Sequence, residues 1–196
     1  MLPALETPLI WLGGIIAVTL VPLLFATLAH RPLRIWPTPG PGTWQYVVWW
    51  VLFRGLNVLT FAVAIAGLGG SLALGLPGWL RLLALAALAG SIAVFLYAFF
   101  VLGRDNSYGA TDGLVTAGIY QWSRNPQNAM LIVVYAALAV AADRWPVFAL
   151  SGAMMLVYFL MVLAEEPWLR DIYGEPYERY CREVPRFFNW RRLASL

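Results

Sequence analysis

Three groups of polar residues in this 196-residue sequence have types and spacings that could bind a charged molecule. In the first, SRNPQN, Arg124, Asn125 and Pro126 stand directly before an apolar run. Asn is favoured at the N-cap and Pro at the first helical position, so we expect a helix to start here. Its free N–H groups, its positive dipole end and Arg124 predict a site for a carboxylate or phosphate. A plainer alternative is that Asn125 only caps the helix and Arg124 reaches lipid headgroups.

The second group is an acidic pair, Glu165 and Glu166, which ends a long run without any charge. Adjacent carboxylates repel each other, and acidic residues at the edge of an apolar segment usually serve a function. An alternative exists for one of them, because Glu166 precedes Arg170 by four residues, the favoured orientation for an ion pair within a helix. That pairing would leave Glu165 unexplained.

The composition is that of a membrane protein, since 61% of the residues are hydrophobic and 12% are charged, against about a quarter charged in soluble domains. We therefore predict an all-α integral membrane protein that forms a single domain over residues 1–196. The single Cys181 excludes an intramolecular disulfide, and the single His30 leaves no familiar metal cluster. The first apolar run lacks a cleavage pattern, so we expect it to be retained. Five transmembrane helices are predicted, at about 8–29, 46–74, 79–102, 126–142 and 146–166.

The basic residues, all of them Arg, predict the orientation. Arg31 and Arg34 fall in the first loop, and most others in the third loop or the tail, whereas Arg81 and Arg144 lie in the opposite loops. By the positive-inside rule the N-terminus is outside and the C-terminus cytoplasmic, in what we expect to be a bacterial inner membrane. The net charge of +3 thus indicates contact with membrane lipids and not with nucleic acid.

The third group lies in the tail YGEPYERYCREVPRFF, which has the stop and start signals of a short amphipathic helix. Gly174 suits a helix end, Pro176 a helix start, and Val184 with Pro185 the next end. On such a helix Tyr173, Tyr177 and Tyr180 fall close to one face. The helix could lie on the lipid surface, or it could form a lid over a cytoplasmic mouth. The aperiodic loop GRDNSYGATDGLVTAGIYQWSR is of a length that is usually functional or disordered, and its apolar residues argue against disorder.

These elements occur together in a known order. LVTAGIYQWSRNPQN, an apolar hairpin, EE, and then YGEPYERYCREVPRF resemble the isoprenylcysteine carboxyl methyltransferase and phospholipid N-methyltransferase superfamily, from Leu102 onward. The resemblance implies a pocket for S-adenosylmethionine on the cytoplasmic side, closed by the tail, and a lipophilic or lipid acceptor that enters from the bilayer. Residues 1–102 would then supply three spans, and residues 103–196 a cofactor-binding loop, a helical hairpin and the tail.

The resemblance also implies residue roles. Arg124 and the helix start at Asn125 would take the methionine carboxylate, and Glu165 or Glu166 would accept from the ammonium or ribose. The cofactor-binding residues it implies are Gly118, Tyr120, Arg124, Asn125, Asn128, Glu165, Glu166, Tyr177 and Tyr180. Arg124 and Glu165 are the implied catalytic residues.

The sequence departs from the family pattern at three positions near the proposed anion site. Asn125 stands where the family has His, Asn128 where it has Tyr, and Ile119 where Pro is common. Asn keeps a hydrogen-bonding side chain but cannot move protons as an imidazole can, so cofactor binding is better supported than any general base. Arg54 and Asn57 could compensate from the second helix.

Two other functional classes stay open at this point. Membrane sterol reductases share a similar motif and bind NADPH, although they are usually longer, and a non-enzymatic membrane protein could keep the same scaffold. The acceptor also stays open among a phospholipid amine, an isoprenylated cysteine carboxylate and a small lipophilic thiol, amine or acid.

Overall fold

The structure is a computed structural model that describes residues 2–67, 72–103 and 113–189. These residues form α-helices, two short 3-10 helices at Arg31–Leu33 and Gly118–Gln121, and no strand. The α-helices are α1 (Leu2–Ala29), α2 (Trp44–Ala66), α3 (Gly78–Leu102), α4 (Pro126–Ala142), α5 (Trp145–Tyr173) and α6 (Glu175–Glu183). The predicted all-α class is confirmed.

Four helices, α1, α2, α3 and α5, are long and apolar enough to cross a membrane. The fifth predicted span, α4, has the predicted bounds 126–142, but it is an apolar helix of only 17 residues. Large apolar side chains on the outer faces are exposed, such as Trp11 at 70% and Phe100 at 77%. An apolar outer face of this kind is expected where a helix contacts lipid and not water.

The core of the bundle forms around α5, which packs against α1, α2 and α4, while α3 packs against α4. Leu24 from α1, Leu56 from α2 and Met154 from α5 are fully buried in this core. Gly13 allows a close approach, because an added Cβ there would lie 3.0 Å from the side chain of Leu150. Small residues at such crossings are the usual way for apolar helices to pack tightly.

Ion pairs join the helix ends at the side of the bundle where α1 and α5 begin. Arg144, 4% exposed, pairs with Glu6 at 2.6 Å, and Arg81 pairs with Asp143 at 3.9 Å. The guanidinium of Arg144 lies where a side chain on Gly67 would be, so only glycine fits there. These contacts hold the helix ends together on this side of the bundle.

Two predicted helix ends are wrong. α2 ends at Ala66 and not near residue 74, and residues 72–74 are extended, with Leu74 N–H donating to Asp143 O at 3.0 Å. α5 continues past residue 166 to Tyr173, through Pro167. The predicted ends rested on apolar runs, but charged side chains do not end a helix when partners from other elements pair with them, as they do for Glu166.

Candidate active site

A cavity opens at the end of the bundle where α4 begins and α5 ends. It encloses about 770 Å³ of space free of protein atoms, a volume that includes the open solvent at its mouth. Its walls come from the segment after α1, the end of α3, the segment before α4, the first turn of α4, the end of α5, and α6. Segments that are distant in sequence therefore meet at this cavity.

Most of the site residues expected from the sequence line this cavity. They are Tyr120, Arg124, Asn125, Asn128, Glu165, Tyr177 and Tyr180. Gly118 and Glu166 do not appear among its described lining residues. Gly118 instead adopts a positive φ of 60° at the start of the 3-10 helix that carries Tyr120, a conformation that favours glycine.

Arg124 joins the start of α4 to the tail. Its Nη2 donates to Glu166 Oε1 at 2.7 Å, and its Nη1 donates to the carbonyls of Cys181 at 3.0 Å and Val184 at 2.8 Å. The side chain is 8% exposed, and its buried Nε has no hydrogen-bond partner among the described residues. A guanidinium this buried does not reach lipid headgroups, so that alternative is wrong.

Glu166 is the acceptor for two arginines. In addition to Arg124, Arg186 of the tail donates to it twice, from Nε at 2.9 Å and from Nη2 at 2.6 Å. The side chain of Glu166 is 2% exposed. The alternative pairing with Arg170 is wrong, because Arg170 pairs with Glu178 at 2.9 Å instead. Glu166 therefore holds the tail against α5 and the start of α4.

Glu165 has a different environment from its neighbour, because consecutive residues on a helix point about 100° apart. Its half-buried side chain lines the cavity and accepts one hydrogen bond, from Trp36 Nε1 at 3.3 Å. No Arg, Lys or His of the described chain forms an ion pair with it. It is also the only acidic residue among the described lining residues. The cavity thus contains one carboxylate that is not paired with any cation of the described chain.

The helix start at Pro126 is confirmed, and Asn125 occupies the N-cap position. The expected capping hydrogen bond is absent, however, because the Asn125 amide donates to the carbonyl of Arg186 at 3.2 Å. The backbone N–H of Asn125 is satisfied instead by Ser123 Oγ at 3.0 Å. The Asn125 side chain therefore binds the tail and does not cap α4.

The tail packs over the segment before α4. α5 ends at Tyr173, α6 spans Glu175–Glu183, and Val184 follows as the C-cap, as the stop and start signals predicted. Backbone hydrogen bonds then join the tail to that segment, from Arg124 N to Pro185 O at 3.1 Å and from Asn189 N to Trp122 O at 2.8 Å. This position fits a lid and not a helix that only lies on lipid.

Three tyrosines form the contact between this lid and the cavity. Tyr177 and Tyr180 are 2% and 6% exposed, and Tyr180 Oη donates to the carbonyl of Tyr120 at 2.6 Å. Burial is the main cause that raises the pKa of Tyr120, Tyr177 and Tyr180. All three phenols therefore stay protonated at neutral pH.

Several lining residues were not anticipated, and Trp36 is the most informative of them. It lies in the segment between α1 and α2, is 4% exposed, and contacts Glu165 across the bundle. No local signal distinguishes it from the many other tryptophans, because its role depends on how α1 and α5 pack. The other unanticipated lining residues are Leu102, Gly113, Leu114, Val115, Gln127, Met161, Leu169 and Tyr173.

Arg54 and Asn57, which were considered as compensating residues, do not appear among the described lining residues. Arg54 lies over the ring of Trp50, at 4.7 Å from its centroid. Asn57 Oδ1 accepts hydrogen bonds from Tyr135 and Tyr158 in the bundle interior. Arg54 therefore contacts its own helix, and Asn57 contacts α4 and α5.

Comparison with known families gives one match. Residues 68–176 match the model of a family described as phospholipid methyltransferase. The matched region is more than half of the chain and runs from just after the end of α2 into the first turn of α6. It contains Arg124, Asn125 and both members of the acidic pair. No curated protein matches the chain.

Proposed function

Because the chain belongs to the phospholipid methyltransferase family, we propose that it transfers the methyl group of S-adenosylmethionine to a lipophilic acceptor at the cytoplasmic membrane face. Its family and its four long apolar helices make it a membrane methyltransferase. The observation that supports S-adenosylmethionine as the methyl donor is Glu165, a carboxylate that faces the cavity and has no cation partner in the described chain. A cationic ligand would complement this carboxylate.

The chemistry of the lining fits S-adenosylmethionine as a whole. Glu165 can accept from its ammonium or its ribose hydroxyls, and aromatic rings such as Tyr120 and Tyr173 can contact its adenine. At the start of α4 the backbone N–H of Asn128 lies in the first turn, where no helical carbonyl can accept from it. That N–H and the unpartnered Nε of Arg124 are the donors that we assign to the methionine carboxylate.

When bound, S-adenosylmethionine supplies an activated methyl group on a positively charged sulfur. The contribution of the chain is to bind, orient and exclude water. Tyr177 and Tyr180 close the cavity from the tail side, and the pairing of Arg124 and Arg186 with Glu166 keeps them there. Glu165 is then positioned to accept a hydrogen bond or a proton from groups held in the cavity. Asn125 cannot take this role, because an amide does not accept protons near neutral pH.

The cytoplasmic location of the cavity is supported by the distribution of the arginines. At the far end lie Arg81 and Arg144, which pair with Asp143 and Glu6. More arginines lie at the cavity end, in the segments after α1 and before α4 and in the tail: Arg31, Arg34, Arg124, Arg179, Arg182 and Arg186. The positive-inside rule counts Lys and Arg and not net charge, and it assigns this end to the cytoplasm.

Calorimetry on the detergent-purified protein tests the cofactor. We expect saturable binding of S-adenosylhomocysteine and none of NADPH. Glu165→Gln should weaken binding by roughly 10–100-fold, which corresponds to about 1.5–3 kcal/mol for a charged hydrogen bond. The matched control is Glu178→Gln, which removes a carboxylate that is 42% exposed and paired only with Arg170 among the described residues. Binding of NADPH instead, or of neither ligand, would refute the proposal.

Transfer itself is tested with S-adenosylmethionine that carries a labelled methyl group. Purified protein is incubated with total lipid extracted from the expression host, and the lipids are separated for counting. We expect the label in an organic-soluble product, less of it with Glu165→Gln, and an undiminished amount with Glu178→Gln. Label that remained entirely in the aqueous phase would contradict a lipophilic acceptor.

A further inference from the structure

A second cavity lies beside the first and shares one wall with it. It also encloses about 770 Å³ of protein-free space including its mouth, and it lies between the end of α1 and the last third of α5. Trp36 lines both cavities. Its ring is held by Trp49, at a centroid distance of 4.9 Å, and by its hydrogen bond to Glu165. A molecule in the second cavity would therefore contact Trp36, which also contacts Glu165 in the first cavity.

The second cavity carries positive charge that the protein does not neutralise. Arg31, Arg34 and Asp171 line it, and none of them forms an ion pair with another described residue. Two guanidinium groups and one carboxylate leave a net charge of plus one at its walls. Neither arginine pairs directly with a described acidic group, and one positive charge remains for an anion after Asp171 is counted.

Arg34 is held in a fixed position by the protein. Its Nε donates to the carbonyl of Pro37 at 3.0 Å, and its guanidinium carbon lies 5.4 Å from the ring centroid of Trp168. No hydrogen bond from its two terminal nitrogens to the described chain is present. A guanidinium oriented in this way presents two parallel N–H groups, the geometry that pairs with phosphate.

The position along the bundle indicates where such a phosphate comes from. Arg31 and Arg34 follow directly after α1, which ends at Ala29 and is long enough to cross a membrane. The end of a span is the level of the lipid headgroups, where arginines and tryptophans meet phosphates. The same walls also include apolar side chains, such as Leu28 and Ala164, which can contact the first carbons of an acyl chain.

We propose that this second cavity binds the phosphate of an amphiphilic acceptor through Arg31 and Arg34, and that Trp36 is the wall over which its reactive group reaches the first cavity. The proposal rests on the proposed methyl transfer, because the bound amphiphile is a methyl acceptor only if the protein catalyses that reaction. The binding of a phosphate-bearing amphiphile can be measured without turnover.

The test measures binding to the purified full chain in a neutral detergent, followed by tryptophan fluorescence. The probes are a lysophosphatidic acid, the monoacylglycerol with the same chain, and glycerol 3-phosphate. We expect saturable binding of the lysophosphatidic acid and at least tenfold weaker binding of the other two. Equal binding of the monoacylglycerol would overturn the proposal, because the phosphate would then not be recognised. Equal binding of glycerol 3-phosphate would overturn the amphiphilic part of it and show a site for free phosphate.

Variants decide whether the two arginines are responsible. Arg31→Gln and Arg34→Gln together should weaken lysophosphatidic acid binding at least tenfold, and Arg31→Gln alone, at an exposed position, should weaken it severalfold. The control pair Arg179→Gln and Arg182→Gln removes the same charge from α6, and it should change binding less than twofold. Wild-type affinity in the Arg31→Gln and Arg34→Gln protein, or an equal loss in the control, would refute the site.

Binding of S-adenosylhomocysteine, measured in the same samples, separates this proposal from the methyltransferase proposal. The affinity for S-adenosylhomocysteine should be unchanged by the Arg31 and Arg34 substitutions. Unchanged affinity would also show that these variants are folded. If the wild-type protein bound the lysophosphatidic acid but not S-adenosylhomocysteine, the cofactor proposal would fail and the phosphate site would stand. The reverse result would remove the phosphate site alone.

Discussion

The two adjacent glutamates should fail in different ways when each is neutralised, and this difference tests the interpretation of the site. Glu166 is 2% exposed and holds the tail through two hydrogen bonds from Arg186, at 2.9 and 2.6 Å. Detaching the tail breaks these two bonds but leaves the bond from Arg124 to Glu166 on the other side. The effect of Glu166→Gln on tail opening is therefore the loss of the pairing with Arg186.

The size of that loss follows from the exposure of the two partners. A hydrogen bond to a charged group contributes about 1.5–3 kcal/mol. The Arg186 side chain is 39% exposed, so solvent screens the interaction and the lower part of this range applies. A loss of about 1.5–2 kcal/mol raises the open population of the tail by about 10–30-fold. The pairing with Glu166 also raises the pKa of Arg186, so this arginine stays charged over the usual pH range.

Trypsin measures the opening directly, because it cleaves after Arg and two sites, Arg179 and Arg182, lie within α6. Cleavage there requires local unfolding, so its rate follows the open population when closing is fast. We expect Glu166→Gln to be cut about 10–30-fold faster than the wild type. The control is Glu175→Gln, whose pair with Arg182 is 66% and 61% exposed and should change the rate less than about threefold.

Glu165→Gln should give the opposite pattern. No arginine of the described tail pairs with Glu165, so its cleavage rate should stay within about threefold of the wild type, while S-adenosylhomocysteine affinity falls by roughly 10–100-fold. The reasoning is refuted if Glu166→Gln leaves the tail protected and abolishes ligand binding while Glu165→Gln binds normally. In that case Glu166 would be the ligand acceptor and its arginine pairs would be incidental.

Four further predictions follow from the same geometry. Arg124→Ala should lower S-adenosylhomocysteine affinity at least tenfold and expose the tail to trypsin, and Arg124→Lys should recover only part of both, because an ammonium cannot reach all three of the oxygens that Arg124 now contacts. Gly67→Ala should lower the melting temperature in detergent without changing ligand affinity per folded molecule, because its methyl group would overlap the guanidinium of Arg144 at the far end of the bundle. Tyr180→Phe should speed tail cleavage by roughly fivefold, because it removes the hydrogen bond to the Tyr120 carbonyl, worth about 1 kcal/mol. Burial raises the pKa of both Tyr120 and Tyr180. The wild-type tail should therefore lose its protection from trypsin only as the pH rises past about 10, where unfolded tyrosine ionises. Finally, S-adenosylhomocysteine at a hundred times its dissociation constant should slow wild-type tail cleavage by up to about 100-fold, which corresponds to about 2.7 kcal/mol, and an unchanged rate would show that the tail does not close over the ligand.

The features of the fold that sequence predicted correctly are those with local causes. α4 begins at Pro126 because proline has no N–H to lose at a first helical position, and α5 gives way to α6 at Gly174, which has a positive φ of 56°. These signals act within a few residues and do not depend on the rest of the chain. Apolar runs were a weaker guide, since α2 stops at Ala66 although the sequence stays apolar beyond it.

The partners within the site were not predictable in the same way. Glu166 pairs with Arg124 and Arg186, which lie 42 positions before it and 20 positions after it, and not with the arginine one helical turn away. Trp36 reaches Glu165 across 129 positions. Such pairings arise from how the helices and the tail pack together. One sequence contains no local signal for them, although it does indicate that the residues are polar and close to a membrane boundary.

The adjacency of the two glutamates has a physical explanation in this arrangement. Two carboxylates at consecutive helical positions point about 100° apart, so α5 can direct one toward the tail and the other into the cavity. Glu166 is neutralised by two arginines, which reduces its repulsion of Glu165 and leaves that carboxylate free for a cationic ligand. The tail that Glu166 retains also carries Tyr177 and Tyr180 into the walls of the cavity. The two glutamates therefore have separate roles, because Glu166 holds the tail in place and Glu165 places a carboxylate in the cavity.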